Sequence, residues 1–305
     1  MVHLTAATRA GDLAVFQTRS VIGMLKKIQP ELNIEIKTIT TTGDSDRRTT
    51  LWNLKDTGFF TSQLEDALLA KDADFAVHSF KDLPTQCRSG LNITAICDRN
   101  FVEDCLVSNL NIKSIEQLPE GAKIGTSSLR RAAQIKHMRN DLQIVPIRGN
   151  VKTRIRKLDG DDYDAIILAR AGLERLGLME NISFVFDPTE FIPAPAQGAL
   201  AIQTRTDDNR TNEIISLINN INAEKETAAE RKILNVLQCG CHAPVGAYAK
   251  IDESQFKIQA FISNPDGTNY IASTKEGDVE EAGIIAENLA KELLEAGGRE
   301  ILKGI

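Results

Sequence analysis

A chain of 305 residues, 42% hydrophobic and 26% charged, is long enough for two or three cored domains, and none of its apolar runs approaches the ~18 residues of a membrane span. Its net charge of −6 argues against nonspecific affinity for nucleic acid. Five cysteines (Cys87, Cys97, Cys105, Cys239 and Cys241), an odd number in a long chain, argue against a disulfide framework. With an opening that lacks the order of a secretory signal, they point to a cytoplasmic protein.

The first third alternates strand and helix signals. HLTAAT reads as a strand, DLAVFQTRSVIGMLKKI as an amphipathic helix, and NIEIKTITT as a second strand. TSQLEDALLAKDA predicts a helix capped by Thr61 or Ser62, and DFAVHS and LNITAICD predict short buried strands. A second series follows: strand AKIGTSS, helix LRRAAQIKHMR, strand LQIVPIR, helix NVKTRIRKLDG, strand YDAIILAR, helix AGLERLGLM. Such alternation argues for open α/β sheets. FIPAPAQGALAIQTR adds a Pro/Gly-rich connection and one more strand. After about residue 220 the texture changes to a helix (KETAAERKILNVLQ), strands (VGAYAKI, FKIQAFIS, NYIAST) and one long C-terminal helix through GREIL, the order of a small α+β domain. No internal repeat is visible.

Three stretches carry chemical content. In KIGTSSLRRAAQ a strand runs into Thr126, Ser127 and Ser128 just before a helix start, where hydroxyls and free N–H groups either cap the helix or hold an anion. Arg130 and Arg131 in the first turn oppose the helix dipole, a conflict with local stability that marks a functional site. Residues 121–180 hold twelve Lys/Arg against seven Asp/Glu, and Arg148, Arg154 and Arg175 sit in similar places, suited to bidentate binding of carboxylate or phosphate. In DFAVHSFKDLPT, Ser79, Lys81 and Asp82 lie just past a strand end, where α/β sheets gather ligands. Asp82 either shapes the turn before Leu83-Pro84 or moves protons among cations; His78, in an apolar strand, reads as a core histidine. The third stretch, LQCGCHAPVG, sets Cys241 between Gly240 and His242. Its C-x-C spacing without a second pair argues against zinc, and leaves a buried inert thiol or an exposed nucleophile or covalent anchor.

Together AVHSFKDLP, GTSSLRR, RGNVKTR, YDAIILA with AGLERLG, PAQGALAI and GCHAPVG, in order along almost the whole chain, resemble the porphobilinogen deaminases, also called hydroxymethylbilane synthases, of tetrapyrrole biosynthesis. The resemblance implies a transferase that joins four porphobilinogen molecules head to tail onto a covalent dipyrromethane cofactor, releases ammonia at each addition, and then hydrolytically frees the linear tetrapyrrole hydroxymethylbilane for a uroporphyrinogen-III synthase. It implies that Cys241 carries the cofactor through a thioether. Each pyrrole bears an acetate and a propionate, so a full-length chain presents roughly a dozen anions that need charge-assisted hydrogen bonds. By resemblance Arg9, Lys81, Arg130, Arg131, Arg148, Arg154 and Arg175 supply these, with Ser79, Thr126, Ser127 and Ser128 as further donors. Asp82 would assist loss of ammonia, stabilise the resulting cation and help remove a proton after coupling. Gln197 and Arg205 are assigned only to the cleft region.

The implied architecture is α/β: two domains like periplasmic binding proteins flank a cleft, and a smaller α+β domain carries the cysteine. The expected boundaries are 1–98 with 199–218, then 99–198, then 219–305. A monomer is implied, with no metal, nucleic acid or membrane partner. This chain departs from the family pattern in two places. It reads Arg9-Ala10-Gly11-Asp12 where Arg-x-Ser-Pro is usual, and it has Asn53 and Thr57 where lysines are common. Asp44 is kept, while Arg48 stands where a second aspartate is common, and Arg47, Arg48 and Lys55 are the expected replacements in this lid. Two rival readings remain: a two-lobed small-anion-binding protein, and a member that holds the cofactor but turns over weakly. Acyl or phosphoryl transfer by Ser127 or Ser128 lacks a neighbouring base or a nucleotide-binding loop.

Overall fold

The computed structural model describes residues 2–41, 61–240 and 243–304. In chain order the elements are β1 (His3–Arg9), α1 (Asp12–Ile28), β2 (Asn33–Ile39), α2 (Ser62–Leu69), β3 (Phe75–Ser79), β4 (Leu91–Cys97), β5 (Asp104–Val107), β6 (Lys123–Gly125), α3 (Leu129–Met138), β7 (Gln143–Val145), α4 (Val151–Arg156), β8 (Ala165–Ala169), α5 (Arg170–Arg175) and β9 (Ile182–Val185). They continue with β10 (Leu200–Arg205), α6 (Asn209–Ser216), α7 (Ile221–Leu237), β11 (Val245–Asp252), β12 (Gln255–Ile262), β13 (Ile271–Asp278), α8 (Ala282–Leu293) and α9 (Arg299–Lys303). The described residues fall into two units, one made of 2–41, 61–100 and 198–224, the other of 101–197, 225–240 and 243–304.

The first unit is built on a five-stranded sheet in the order β2-β1-β3-β10-β4. β1 runs parallel to both β2 and β3, and β10 is antiparallel to β3 and β4. All six residues of β10 are buried, as a central strand covered on both faces requires. Alternate residues divide between the faces. Leu4, Ala6, Phe75, Val77, Leu200 and Ile202 meet Val21 and Leu25 of α1 and Ile214 and Ile215 of α6, while Ala7 and Ala76 meet Leu64 and Leu68 of α2. Asp12 in the first turn of α1 and Lys26 and Lys27 in its last complement the helix dipole. Thr61 occupies the cap position of α2 but makes no side-chain capping bond.

The second unit holds two sheets. One has the order β7-β6-β8-β5-β9, with β6 parallel to β7 and β8, and β5 antiparallel to β8 and β9. This is the arrangement of the first sheet over again, although the sequence shows no repeat. In the second unit the antiparallel strand, β5, is the first one made after the chain enters at residue 101, and in the first unit β10 is the first one made after the chain returns at residue 198. The other sheet is the antiparallel β11-β12-β13. Ala282, Ile285, Ala286, Leu289, Ala290 and Leu293 form the buried stripe of α8 against it, at the spacing of one helix face.

The expected single C-terminal helix is interrupted. Gly297 adopts a left-handed φ of 120°, which only glycine reaches without strain, and α9 starts two residues later. Sequence patterning also missed β5, β9 and α6, the two strands being only four residues long.

Within this unit α3 packs on the five-stranded sheet through Ile135 and also meets the residue that precedes β13. Tyr270, just before β13, stacks on His137 at 4.0 Å and on Phe261 at 4.8 Å, and its burial pushes the phenol up to about 12. Glu230 of α7, fully buried, accepts the backbone N–H of Ala249 on β11 at 2.7 Å and of Ala196 at 2.6 Å.

Candidate functional site

In the first unit the sequence-predicted residues gather at the carboxyl ends of the parallel strands. Arg9 closes β1 and Ser79 closes β3, after which a single 3₁₀ turn, Phe80–Asp82, carries Lys81 and Asp82. Arg9, Ser79 and Lys81 are half-buried, and Asp82 is exposed. The Asp82 carboxylate has no hydrogen bond or ion pair among the described residues, so it does not fasten the turn it sits in. Ser79 is fixed from α1: the buried Gln17 amide donates to its Oγ at 2.9 Å. Gln17 was not singled out from sequence, although a glutamine within the buried stripe of α1 is the signal that could have found it. Gly11 stands at the cap of α1 without a side-chain bond, and Asp12 is the acid of its first turn, a place the dipole favours for a carboxylate.

His78 is a core residue, as expected. It is 5% exposed, and burial pushes its pKa down to about 4, with Arg9 adding to the effect and a hydrogen bond to Gln203 opposing it. The folded protein therefore keeps His78 neutral to about pH 4, while the unfolded chain takes up a proton below 6.5. Stability is expected to fall by up to about 3 kcal/mol as pH drops from 6.5 to 4, with no contribution from this group above 6.5. Urea melts at pH 7 and pH 4.5 should show this slope in the wild type and a shallower one in His78→Gln; equal slopes would remove His78 as its cause.

Arg205 belongs elsewhere. The antiparallel run of β10 pairs Leu200 with Ser79 but carries Arg205 to the opposite edge, beside Leu91. There it donates to the carbonyls of Leu68 and Ala73 and pairs with Asp208 at 2.5 Å, so its guanidinium stitches α2 to the sheet.

In the second unit the residues gather at the equivalent strand ends. Thr126, Ser127 and Ser128 follow β6, Arg148 follows β7, and Arg175 lies in α5 directly after β8. Each hydroxyl has a role. Ser128 caps α3, its Oγ facing the N–H of Arg131 at 3.5 Å; Thr126 Oγ1 accepts from the N–H of Ser128 at 3.2 Å. Ser127 donates to Ile147 O at 2.7 Å and accepts from Ile147 N at 3.1 Å, pinning the ends of β6 and β7 together. Arg154 Nε donates to Gly149 O at 2.7 Å, and Arg175 is buried.

Arg130 and Arg131 are buried as well, and both reach Asp104 at the head of β5. Arg130 Nη1 lies 2.8 Å from Oδ2; Arg131 donates Nε at 3.0 Å and Nη2 at 2.7 Å to Oδ1. Gln197 Nε2 donates to the same Oδ1 at 3.0 Å and to Val102 O at 2.8 Å. Burial pushes Arg130 down, and Asp104 opposes that shift. Two guanidinium groups face one carboxylate here, at the positive end of a ten-residue helix. A buried surplus of positive charge is costly unless an anion offsets it, so the face suits a carboxylate-bearing ligand. Asp104 was not predicted; an acid heading the apolar run Cys105-Leu106-Val107 is its only mark in the sequence.

Cys241, with Arg47, Arg48 and Lys55 of the expected lid, and His242, Asp44, Asn53 and Thr57, lies outside the described residues. Among the described residues no group of three or more His, Cys, Asp or Glu is placed to hold a metal ion, and no helix is long and apolar enough to cross a membrane.

The family profile described as porphobilinogen deaminase, dipyromethane cofactor binding domain, matches residues 4–213, and that of the porphobilinogen deaminase C-terminal domain matches 225–295. A protein of Deinococcus radiodurans named porphobilinogen deaminase is 42% identical over 307 residues, covering 100% of this chain and 99% of the relative. One of the same name from Carboxydothermus hydrogenoformans is 42% identical over 303 residues, covering 99% and 97%. Among solved structures, a methionine binding protein, MetQ, is 14% identical with a TM-score of 0.45 over 71% of this chain and 89% of its own. A probable amino-acid ABC transporter extracellular-binding protein, ytmK, of Bacillus subtilis is also 14% identical, with a TM-score of 0.43 over 72% and 90%.

Proposed function

The chain belongs to the porphobilinogen deaminase family, and from that premise we propose that it joins four porphobilinogen molecules onto a dipyrromethane primer held by Cys241 and then hydrolytically releases hydroxymethylbilane. The observation that carries the proposal is the unbalanced positive charge of Arg130 and Arg131 beside Asp104, at a hydroxyl-lined helix start. That chemistry fits a group whose pyrroles each bear two carboxylates.

When bound, the primer would supply the nucleophilic pyrrole carbon that takes up the first unit. The chain's own residues bind, orient and handle protons. Arg130, Arg131, Arg148, Arg154 and Arg175 hold carboxylates on the second unit, with Thr126 and Ser128 as donors; Ser127 serves them by fixing the ends of β6 and β7. Arg9, Lys81 and Ser79, the last steadied by Gln17, do the same on the first unit. Asp82, exposed and without a partner among the described residues, accepts the pyrrole N–H groups on its carboxylate oxygens, which stabilises positive charge as ammonia departs, and then takes up the proton released by coupling. Arg47, Arg48 and Lys55 provide the cations of the lid. The working division is 1–98 with 199–218, 99–198, and 219–305. The enzyme acts as a cytoplasmic monomer whose product goes to a uroporphyrinogen-III synthase.

The test is incubation of the purified protein with porphobilinogen, following ammonia release and uroporphyrin after acid and oxidation. One ammonia per porphobilinogen consumed, with uroporphyrin formed, is expected. Retention of porphobilinogen without ammonia release would leave an anion-binding protein instead.

A further inference from the structure

Adjacent arginines at a helix start repel each other: burial pushes Arg130 down first of all, and Arg131 adds to that effect while Asp104 opposes it. Something must hold both side chains in place, and among the described residues Asp104 is the carboxylate that meets them. It is fully buried on a strand locked into the sheet: its own carbonyl accepts Phe186 N at 3.1 Å, and Cys105 behind it pairs with Leu168 and Val185. We propose that Asp104 is a positioning residue for the carboxylate-binding face, fixing the orientation of Arg130 and Arg131 and cancelling one of their two charges. The inference rests on the reading that these arginines bind pyrrole carboxylates.

Asp104 leaves part of each guanidinium available. Arg131 commits Nε and one N–H of Nη2 to Asp104 and one N–H of Nη1 to Ile167 O at 3.0 Å. Of the five N–H bonds a guanidinium carries, two remain for an outside acceptor. Arg130 turns Nη1 toward Ile192 O at 2.8 Å and toward Asp104, which leaves Nε and Nη2. A planar fork held on one edge presents its remaining donors in a fixed direction. Gln197 serves Asp104 in turn, its amide sharing Oδ1 with Arg131.

Charge and position make opposite predictions for Asp104→Asn, which keeps the shape and removes the charge. If charge alone mattered, the variant, one charge more positive, would bind the pyrrole carboxylates more tightly. If position matters, the repelling arginines lose their common anchor and KM for porphobilinogen rises. The expected rise is roughly 10–100-fold, as when an outer partner that orients a ligand is removed, with kcat much less affected. The fraction of protein carrying covalent pyrrole, read by intact mass, should fall in parallel. Arg131→Met is measured beside it, with thermal melts of both. A higher KM and a lower loaded fraction in both variants uphold the proposal. If Arg131→Met raises KM while Asp104→Asn leaves it unchanged or lowers it, Asp104 is merely structural and the proposal is overturned, whatever the melting temperature. If Arg131→Met itself leaves KM and loading unchanged, the carboxylate-binding reading fails first. Should Asp104→Asn not fold, Gln197→Met decides, since it keeps both ion pairs to Asp104 while removing the amide's bonds to Oδ1 and to Val102 O: a raised KM with a wild-type melting temperature supports the proposal and an unchanged KM overturns it.

Discussion

Cys241→Ser protein is expected to show the mass of the bare chain, beside a wild type heavier by two pyrrole units, and to lose porphobilinogen consumption to background. A thioether tether needs a thiolate, and a serine hydroxyl is far too weakly acidic to substitute under the same conditions. The structure narrows the alternatives. Cys97 and Cys105 are buried, and burial with the Asp104 carboxylate alongside pushes the Cys105 thiol up to about 12, which leaves it protonated and inert. Cys87 is exposed and Cys239 half-buried, so these two are the controls. The segment before Cys241 is firmly held: α7 ends at Leu237, Gln238 takes a left-handed φ of 52°, and Cys239 N returns to Leu234 O at 3.2 Å. Retention of the pyrrole mass in Cys241→Ser, with its loss in Cys239→Ser or Cys87→Ser, would move the tether.

Asp82→Asn is expected to lower kcat by about 10²–10⁴, the range for removing a positioned acid–base group, with a much smaller change in KM. The side chain has the same shape and is exposed, so folding should be unaffected. The amide cannot accept a proton, and it lacks the charge that would offset a developing cation. The structure sharpens this expectation by taking away the other role for Asp82: its carboxylate bonds to nothing in its own turn. Melting temperature and primer mass should match the wild type. A kcat within about threefold of wild type would instead leave Asp82 a surface residue.

Most elements and the strand-end positions of the predicted residues were legible in the sequence, because helix and strand periodicities are local. The limits of α1 coincide with its apolar pattern, and GTSS before LRR marks the start of α3. What could not be read depended on distant partners. Arg130 and Arg131 look alike as surface cations or ligands; only their contact with Asp104, 26 and 27 residues away, makes them a buried pair with one shared acid. Arg205 was misplaced because the direction of β10 in the sheet, which decides the edge it reaches, is not a property of that strand's own residues. The likeness of the two five-stranded sheets left no repeat in the sequence, since their strands share positions and not residues.

The central place of β10 sets the order in which this protein can be made. A ribosome adding about 5–20 residues per second would hold β1 to β4 for some time before residue 200 appeared, with β3 and β4 both lacking the strand that belongs between them. During that interval two apolar strands expose unpaired edges, the state most open to wrong pairing. The nascent first unit can close only after the whole intervening segment has been synthesised, so newly made chains, more than finished ones, are where a chaperone would be needed.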